Sequence, residues 1–472
     1  MMAVKLVILP TDFLLFSIFI IGGGVCIYTL RKEHLKAPWQ QIFRSPAAMT
    51  SLMVLIPFLL FGLMDSIHYR SSLGHNSDNK NMIYSSQVYS LLDNILKPLH
   101  SNIEGSYSSP FAAYRFDKVT VKMSDGTKLR TTPRLKFGGR HLKNPKTDKR
   151  KDIIKHITSS FLITIIFWSA FVISISGAIA FRRKQRLSLI LLKMLKGKLL
   201  IPWRAIFITS ILIIFVILLA IKLCPLYHVM GTDKVGQDVF YQSLKSIRTG
   251  LVVGSITTLI MLPFAIFLGT AAGYFGGWID DIIQYLYTTL SSIPGILLIA
   301  AAILMINVYI DNHADLFNSI EQRSDLRLLA LCAILGITSW TGLCRLLRGE
   351  TMKIRDLDYV QAARSLGAGN FKTITRHIFP NVMHIVLITI ILDFSALVLA
   401  EAVLSYIGIG VDPTMNSWGN MINSARMEMA REPIVWWPLL SAFSLMLLLV
   451  LSVNLFGDAM RDAFDPRIRK RQ

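Results

Sequence analysis

Leu251-Val-Val-Gly-Ser-Ile-Thr-Thr-Leu-Ile-Met-Leu-Pro-Phe-Ala-Ile-Phe-Leu-Gly-Thr-Ala-Ala-Gly-Tyr274 carries no charged side chain over a stretch of bilayer length. A helix needs roughly 20 apolar residues to cross the hydrocarbon layer, because no backbone polar group can stay unpaired in lipid. Eight further stretches read the same way: Thr11–Leu30, Ala47–Met64, Ile157–Phe181, Ala205–Leu223, Ser291–Tyr309, Leu326–Cys344, Ile385–Leu404 and Ile434–Phe456. Together they predict an all-α integral membrane protein of about nine transmembrane helices. Composition agrees, since 53% hydrophobic and 17% charged residues over a 472-residue chain exceed what a soluble core requires.

The polar gaps orient the spans. Lys and Arg crowd 31–44, 182–204, 345–376 and 461–471, and basic loops are retained on the cytoplasmic side. The N-terminus is then expected outside and the C-terminus inside. Segment 65–155 is also basic and falls outside, which long loops tolerate because they translocate largely regardless of charge. Within it Val119, Val121 and Met123 alternate with polar residues before Asp125-Gly126, and Leu129 follows. That pattern predicts a β-hairpin in a small extracytoplasmic region. Only Lys5 precedes the first span, whereas Arg31 and Lys32 follow it, an order that argues against a cleaved signal peptide. Cys26 follows Val25, a poor fit to the small residue expected before a lipidated cysteine. Cys26, Cys224, Cys332 and Cys344 show no metal-ligand spacing and no disulfide framework. The net charge of +21 lies in short clusters beside spans and not on one soluble basic domain, which argues against a nucleic-acid partner.

The most informative polar stretch is Asp358-Tyr-Val-Gln-Ala-Ala-Arg-Ser-Leu-Gly-Ala-Gly-Asn-Phe-Lys-Thr-Ile-Thr-Arg-His-Ile-Phe-Pro380. It reads as two short helices with a bend. Asp358 can sit at an N-terminus, Ala362 and Ala363 leave a face that another protein can approach closely, and Gly367 can take the left-handed conformation that stops a helix. Asn370 can start the next helix, and Pro380 marks the beginning of the following span. The spacing of Ala362-Ala363, Gly367 and Ile378-Phe379-Pro380 resembles the coupling loop of ABC importer permeases, which docks into a groove on the ATPase. By that resemblance Tyr359, Gln361, Ala362, Ala363, Leu366, Gly367, Ala368, Phe371 and Pro380 would form the ATPase contact, within a loop at 356–380. Gln361 stands where the family usually has glutamate, and Phe379 where leucine is usual, and an uncharged amide makes no ion pair. The plain alternative is a basic connector between spans.

His228-Val-Met-Gly-Thr-Asp-Lys-Val-Gly-Gln-Asp-Val239 looks like the external signature of the C-type subunit of dipeptide and oligopeptide permeases, with Gln237 replacing the usual arginine. Asp233 and Asp238 are candidates for the outer mouth. Asp238 can also simply cap a helix lying along the membrane surface ahead of the next span. Resemblance continues through Ala272–Asp280, Ser292–Pro294, Glu401–Gly410, Ser417–Gly419 and Gly457–Pro466, covering about half the chain. Charges at bilayer depth are costly and usually functional, which singles out Asp393 and Glu401. Glu401 is a candidate pore residue or an interfacial structural one. Pro294 is expected to break a helix, either as a simple kink or to expose backbone beside a cavity.

These readings divide the chain into an extra leading helix with its basic loop (1–46), a permease helix with the external loop 65–155 and an inserted hairpin (47–227), and a permease core (228–472). There is no Gly-x-x-x-x-Gly-Lys-Ser/Thr loop to cradle ATP, so the chain itself is expected not to be an enzyme, and no cofactor or metal is expected. The resemblance implies four partners besides membrane lipid: a second permease subunit, two ATPase subunits and an extracytoplasmic substrate-binding protein. The place would be a bacterial cytoplasmic membrane and the cargo peptides or peptide-like solutes. Nickel chelates are the alternative cargo within the family. A membrane receptor or scaffold, and a membrane enzyme with convergent catalytic groups, are the alternatives outside it.

Overall fold

The computed structural model describes residues 4–31, 33–75, 82–85, 87–122, 128–313 and 319–464. Strand β1 (Val4–Val7) leads into α1 (Pro10–Arg31), amphipathic α2 (Glu33–Arg44) and α3 (Pro46–Asp65). A polar region follows with β2 (His68–His75), β3 (Met82–Tyr84), β4 (Tyr89–Ser90), the short helices α4 (Leu91–Ile95) and α5 (Lys97–Ser101), β5 (Val119–Lys122) and β6 (Lys128–Thr131). Helices α6 (Pro145–Arg183), α7 (Leu187–Leu195) and α8 (Trp203–Leu223) come next. The remainder is α9 (Val239–Phe275), α10 (Gly277–Ser292), α11 (Gly295–Asn312), α12 (Ile320–Arg355), α13 (Asp358–Ser365), α14 (Asn370–Thr373), a π-turn (Ile374–Ile378), α15 (Phe379–Ile407), α16 (Trp418–Glu428) and α17 (Trp437–Phe464).

Among the described residues nine helical runs are long and apolar enough to cross a membrane: α1, α3, α6, α8, α9, α11, α12, the run Asn370–Ile407 and α17. Each expected span has its counterpart, but several helices are longer than the apolar run inside them. Helix α6 starts at Pro145, twelve positions before Ile157, because Asn144 occupies its N-cap position and Pro145 is pre-set for the first turn. Helix α9 starts at Val239 and runs unbroken to Phe275, so no separate surface helix precedes this span. Its charged Lys245 and Arg248 enter the bundle because buried carboxylates meet them there.

Half of the apolar window of α9 is buried against 17% of that of α6, so α9 is the central column and α6 faces outward. Helix α12 lies beside it in close contact. A Cβ at Gly273 would stand 2.6 Å from the Arg348 carbonyl oxygen, and one at Gly269 2.8 Å from that of Cys344. Only the absent side chains let the two backbones approach. Around this pair the main apolar core gathers Ile256, Leu335, Val398, Trp418 and Trp437. Helices α6, α7 and α8 have a small core of their own, built on Val172, Ile190, Met194 and Phe207.

The expected hairpin is present as antiparallel β5 and β6, Val119 pairing with Thr131 and Val121 with Leu129; Met123 and the turn at Asp125-Gly126 lie outside the described residues. A second sheet was not expected. Strand β1 pairs antiparallel with β2, Val4 opposite Ser71 and Val7 opposite His68, while β2 also pairs with β3 and β4. Residues 4–7 therefore share one end of the bundle with the polar region, and the loop 356–378 sits at the opposite end.

Candidate functional site

Most of the residues singled out in the sequence fall in two places: the loop joining α12 to α15, and the polar cap around residues 228–238 at the strand-bearing end. The loop is assembled by backbone chemistry. Helix α13 ends with Gly367 at φ +85°, the left-handed region that glycine enters without steric cost. The Gly367 amide donates to the Arg364 carbonyl (2.9 Å) and the Ala368 amide to the Ala363 carbonyl (3.0 Å). These are the paired bonds of a Schellman stop. Asn370 opens α14, and its side-chain oxygen accepts from Tyr274 Oη at 2.9 Å, tying the loop to the end of α9. Arg364 lies over the Tyr274 ring, and Asn381 Nδ2 donates to Tyr359 Oη at 3.0 Å. On the adjacent helix ends Arg348 grips Asp280 through two bonds of 2.5 and 2.7 Å.

Inward, Val360 and Ile378 are fully buried in a cluster with Leu347 and Ile354. Outward, Leu366 is 88% and Phe371 81% exposed. An open concavity of about 380 Å³ beside them is lined by Ala363, Leu366, Gly367, Ala368, Lys372, Arg376 and His377. Thus Leu366, Gly367, Ala368 and Phe371, together with exposed Ala362 and half-exposed Tyr359, share one solvent-facing end. Gln361 is turned back on its own chain, its amide donating to the Asp356 carbonyl at 3.2 Å. Pro380 stands at the start of α15, where its ring would crowd the Arg376 carbonyl one α-turn back. The π-turn at Ile374–Ile378, closed by the Phe379 amide on the Ile374 carbonyl, widens the helix there.

The polar cap is a different kind of structure. Asp238 is 1% exposed; its carboxylate accepts from the Phe240 (2.9 Å) and Tyr241 (3.2 Å) amides and faces His228 Nδ1 at 2.7 Å. Asp233 accepts from the Val235 and Gln237 amides and from the Gln242 side chain. Both acids are committed to the turn and cap, and Asp238 reaches no open surface. His228 Nε2 also stands 3.6 Å from Glu104 Oε1, while Glu104 accepts from the amides of Lys136, Phe137 and Gly138. Burial alone would lower the His228 pKa, but the two facing carboxylates override it and lift it to about 9. Burial alone would raise Glu104, yet His228 and the three amides hold it at about 2. The sign follows. The imidazolium's contribution, about 3 kcal/mol for a rise from 6.5 to about 9, is complete below pH 6.5 and lost as pH rises through 9. Hydrogen exchange of residues 104–122 and 128–139, corrected for intrinsic base catalysis, should therefore accelerate between those values, and His228→Gln should flatten the dependence.

Glu401 is 1% exposed and accepts from Ser405 Oγ at 2.7 Å, so it lies sealed within the subunit. Pro294 is exposed at the break between α10 and α11. Among the described residues no hydrogen bond or ion pair joins Glu401 or Pro294 to the Asp233–Asp238 turn. Sequence reasoning missed the buried ion clusters. Arg248 Nη2 meets Asp12 Oδ1 at 2.6 Å and Asp325 Oδ1 at 3.3 Å, Thr11 Oγ1 donates to Asp325, and His68 Nδ1 faces Asp12 at 2.7 Å. Lys245 binds Asp65 at 3.0 Å and Asp93 at 2.8 Å. The available signal was Lys245 and Arg248 three positions apart, one face of a helix running straight into an apolar span.

Residues 263–470 match the family described as binding-protein-dependent transport system inner membrane component. The glutathione transport system permease protein GsiD of Pectobacterium atrosepticum is 32% identical over 243 residues, 51% of this chain and 73% of that protein. The oligopeptide transport system permease protein OppC of Mycobacterium tuberculosis is 30% identical over 242 residues, 51% and 77% of the two chains. The dipeptide transport system permease protein DppC of Bacillus subtilis is 28% identical over 243 residues, 52% and 70%. Among the described residues nine apolar helical runs, together with this extent of identity, carry one conclusion: the chain belongs to the family of binding-protein-dependent transport system inner membrane components, the permease subunits of ABC importers.

Proposed function

We propose that the chain forms half of a translocation pore for peptides or peptide-like solutes and receives its driving force from separate ATPase subunits through the loop 356–380. The cargo class rests on the names of the relatives. The coupling role rests chiefly on one observation: Leu366 and Phe371 stand 88% and 81% exposed on a rigidly stopped turn at a water-facing end. Large apolar side chains held out on a fixed scaffold are what a partner's groove takes up. Lys372 and Arg376 beside them offer positive charge. The loop end is cytoplasmic in this reading and the strand-bearing end extracytoplasmic, where a substrate-binding protein would deliver cargo. ATP and the loaded binding protein then each favour one pore state by contacts made better in that state. A second, different permease subunit completes the pore, and hydrolysis belongs to the ATPase partners. The divisions 1–46, 47–227 and 228–472 are kept as an appended helix, an insertion-bearing segment and the core.

The test is co-purification of the tagged chain from its native membranes in mild detergent. ATPase subunits and a second permease should accompany the wild-type chain. Leu366→Asp with Phe371→Asp should remove the ATPases at least about tenfold, since two anchors of this size are each worth more than about 1 kcal/mol at an interface, and leave the second permease in place. Absence of any ATPase from the wild-type preparation would sink the proposal.

A further inference from the structure

Helix α2, the end of α6 and the segment leading into α8 enclose a cleft of about 340 Å³ at the loop end of the bundle. Its wall is apolar: Phe43 from α2, Ile179 from α6, and Leu199, Ile201 and Trp203 ahead of α8. Its lining is also cationic, with Arg44, Arg182 and Arg183 contributed by two separate helices. Among the described residues none of these three has a carboxylate within ion-pair distance, although Arg248, Arg327 and Arg348 of the same chain each do. Three guanidinium groups around one cavity repel one another unless an anion sits between them.

We propose that this cleft binds an anionic phospholipid, with the headgroup phosphate among Arg44, Arg182 and Arg183 and an acyl chain along the apolar wall. Guanidinium forks match phosphate oxygens bidentately, and basic pockets between membrane helices at the water boundary are suited to phospholipid headgroups. The wall decides between lipid and free anion, because a soluble phosphate would leave Phe43, Ile201 and Trp203 facing water. Large apolar side chains also stand exposed on α6 and α8, Phe181 next to the arginine pair at 87% and Ile208 at 69%. Helices α2, α6 and α8 lie outside the family-matched residues 263–470, and the site does not depend on the coupling-loop reading. The lipid would tie α6 and α8 to α2, which in turn packs through Ile42 on Met460 and Ala463 of α17.

The test is native mass spectrometry of the full chain, purified in detergent, delipidated, and titrated with phosphatidylglycerol, with phosphatidylcholine, or with phosphatidylglycerol in millimolar inorganic phosphate. Phosphatidylglycerol should be retained selectively and should resist phosphate. The triple variant Arg44→Gln, Arg182→Gln, Arg183→Gln should weaken retention about a hundredfold, each guanidinium contributing roughly fivefold. Leu199→Trp, which fills the apolar half and leaves every charge in place, should weaken it roughly tenfold and serves if the triple variant does not fold. Equal retention of the two lipids, or unchanged retention in either folded variant, overturns the proposal. Displacement by phosphate assigns the arginines to a free anion and overturns the lipid reading.

Discussion

Gly367→Val should lower binding-protein-stimulated ATP hydrolysis by the reconstituted transporter about tenfold or more, at an unchanged level of the chain in the membrane. The residue sits at φ +85°, where a side chain costs about 1–2 kcal/mol and a β-branched one the upper part of that range or beyond. An added Cβ meets nothing within 4 Å, so the effect is backbone strain alone and not a clash with the core. The strain is relieved by breaking the two bonds that stop α13, and α13 and α14 then lose their fixed angle. About 1.4 kcal/mol spent on restoring that angle is already a factor of ten. Gly367→Ala, with the smaller penalty, should fall between the two. Hydrolysis in Gly367→Val that matches the wild type would remove the rigid turn from the coupling mechanism.

Arg248→Met should produce the largest loss of stability. Its guanidinium is 6% exposed between Asp12 and Asp325, which are 2% and 1% exposed. Removing one partner from such a cluster costs about 3–5 kcal/mol, because two carboxylates closed off from water lose their guanidinium and keep only His68 on Asp12 and Thr11 on Asp325. Helix α1 should then detach from α9 and α12, to be read as a lowered unfolding temperature and as reactivity of a cysteine placed on the covered face of α1. Adding Asp12→Asn and Asp325→Asn to Arg248→Met removes the orphaned charges and should recover much of the loss. A single variant as stable as the wild type would mean that α1 is held by its apolar face and not by this cluster.

The nine spans were legible because an apolar run of bilayer length admits one structure only, a helix. Gly367 was legible too, since few residues besides glycine stop a helix in the left-handed region. What escaped was pairing at a distance. Thr11 and Asp12 look like an unremarkable helix start until Arg248 and Asp325, more than two hundred positions away, are found against them. Strand β1 is four residues long, too short for its alternation to stand out, and its partner β2 lies beyond two spans. Asp233 and Asp238 illustrate the opposite limit: residue type and spacing marked them for attention, and the structure spends both on local amides. The grouping of Arg44, Arg182 and Arg183 was visible only as two separate basic loops, because nothing in one sequence says that α2 and α6 end side by side.

The π-turn before Pro380 has a geometric consequence for everything upstream of it. An α-helix advances about 100° per residue, and a π-turn holds one residue more than an α-turn. The bearing on which Leu366 and Phe371 point, measured around the axis of α15, is therefore held with one residue more than an α-turn would use, all of it taken up within Ile374–Ile378. Removing one residue there would let the turn close as α-helix with the bearing of the two short helices largely kept, whereas removing one from the α-helical part of α15 that follows would swing them by roughly 100°.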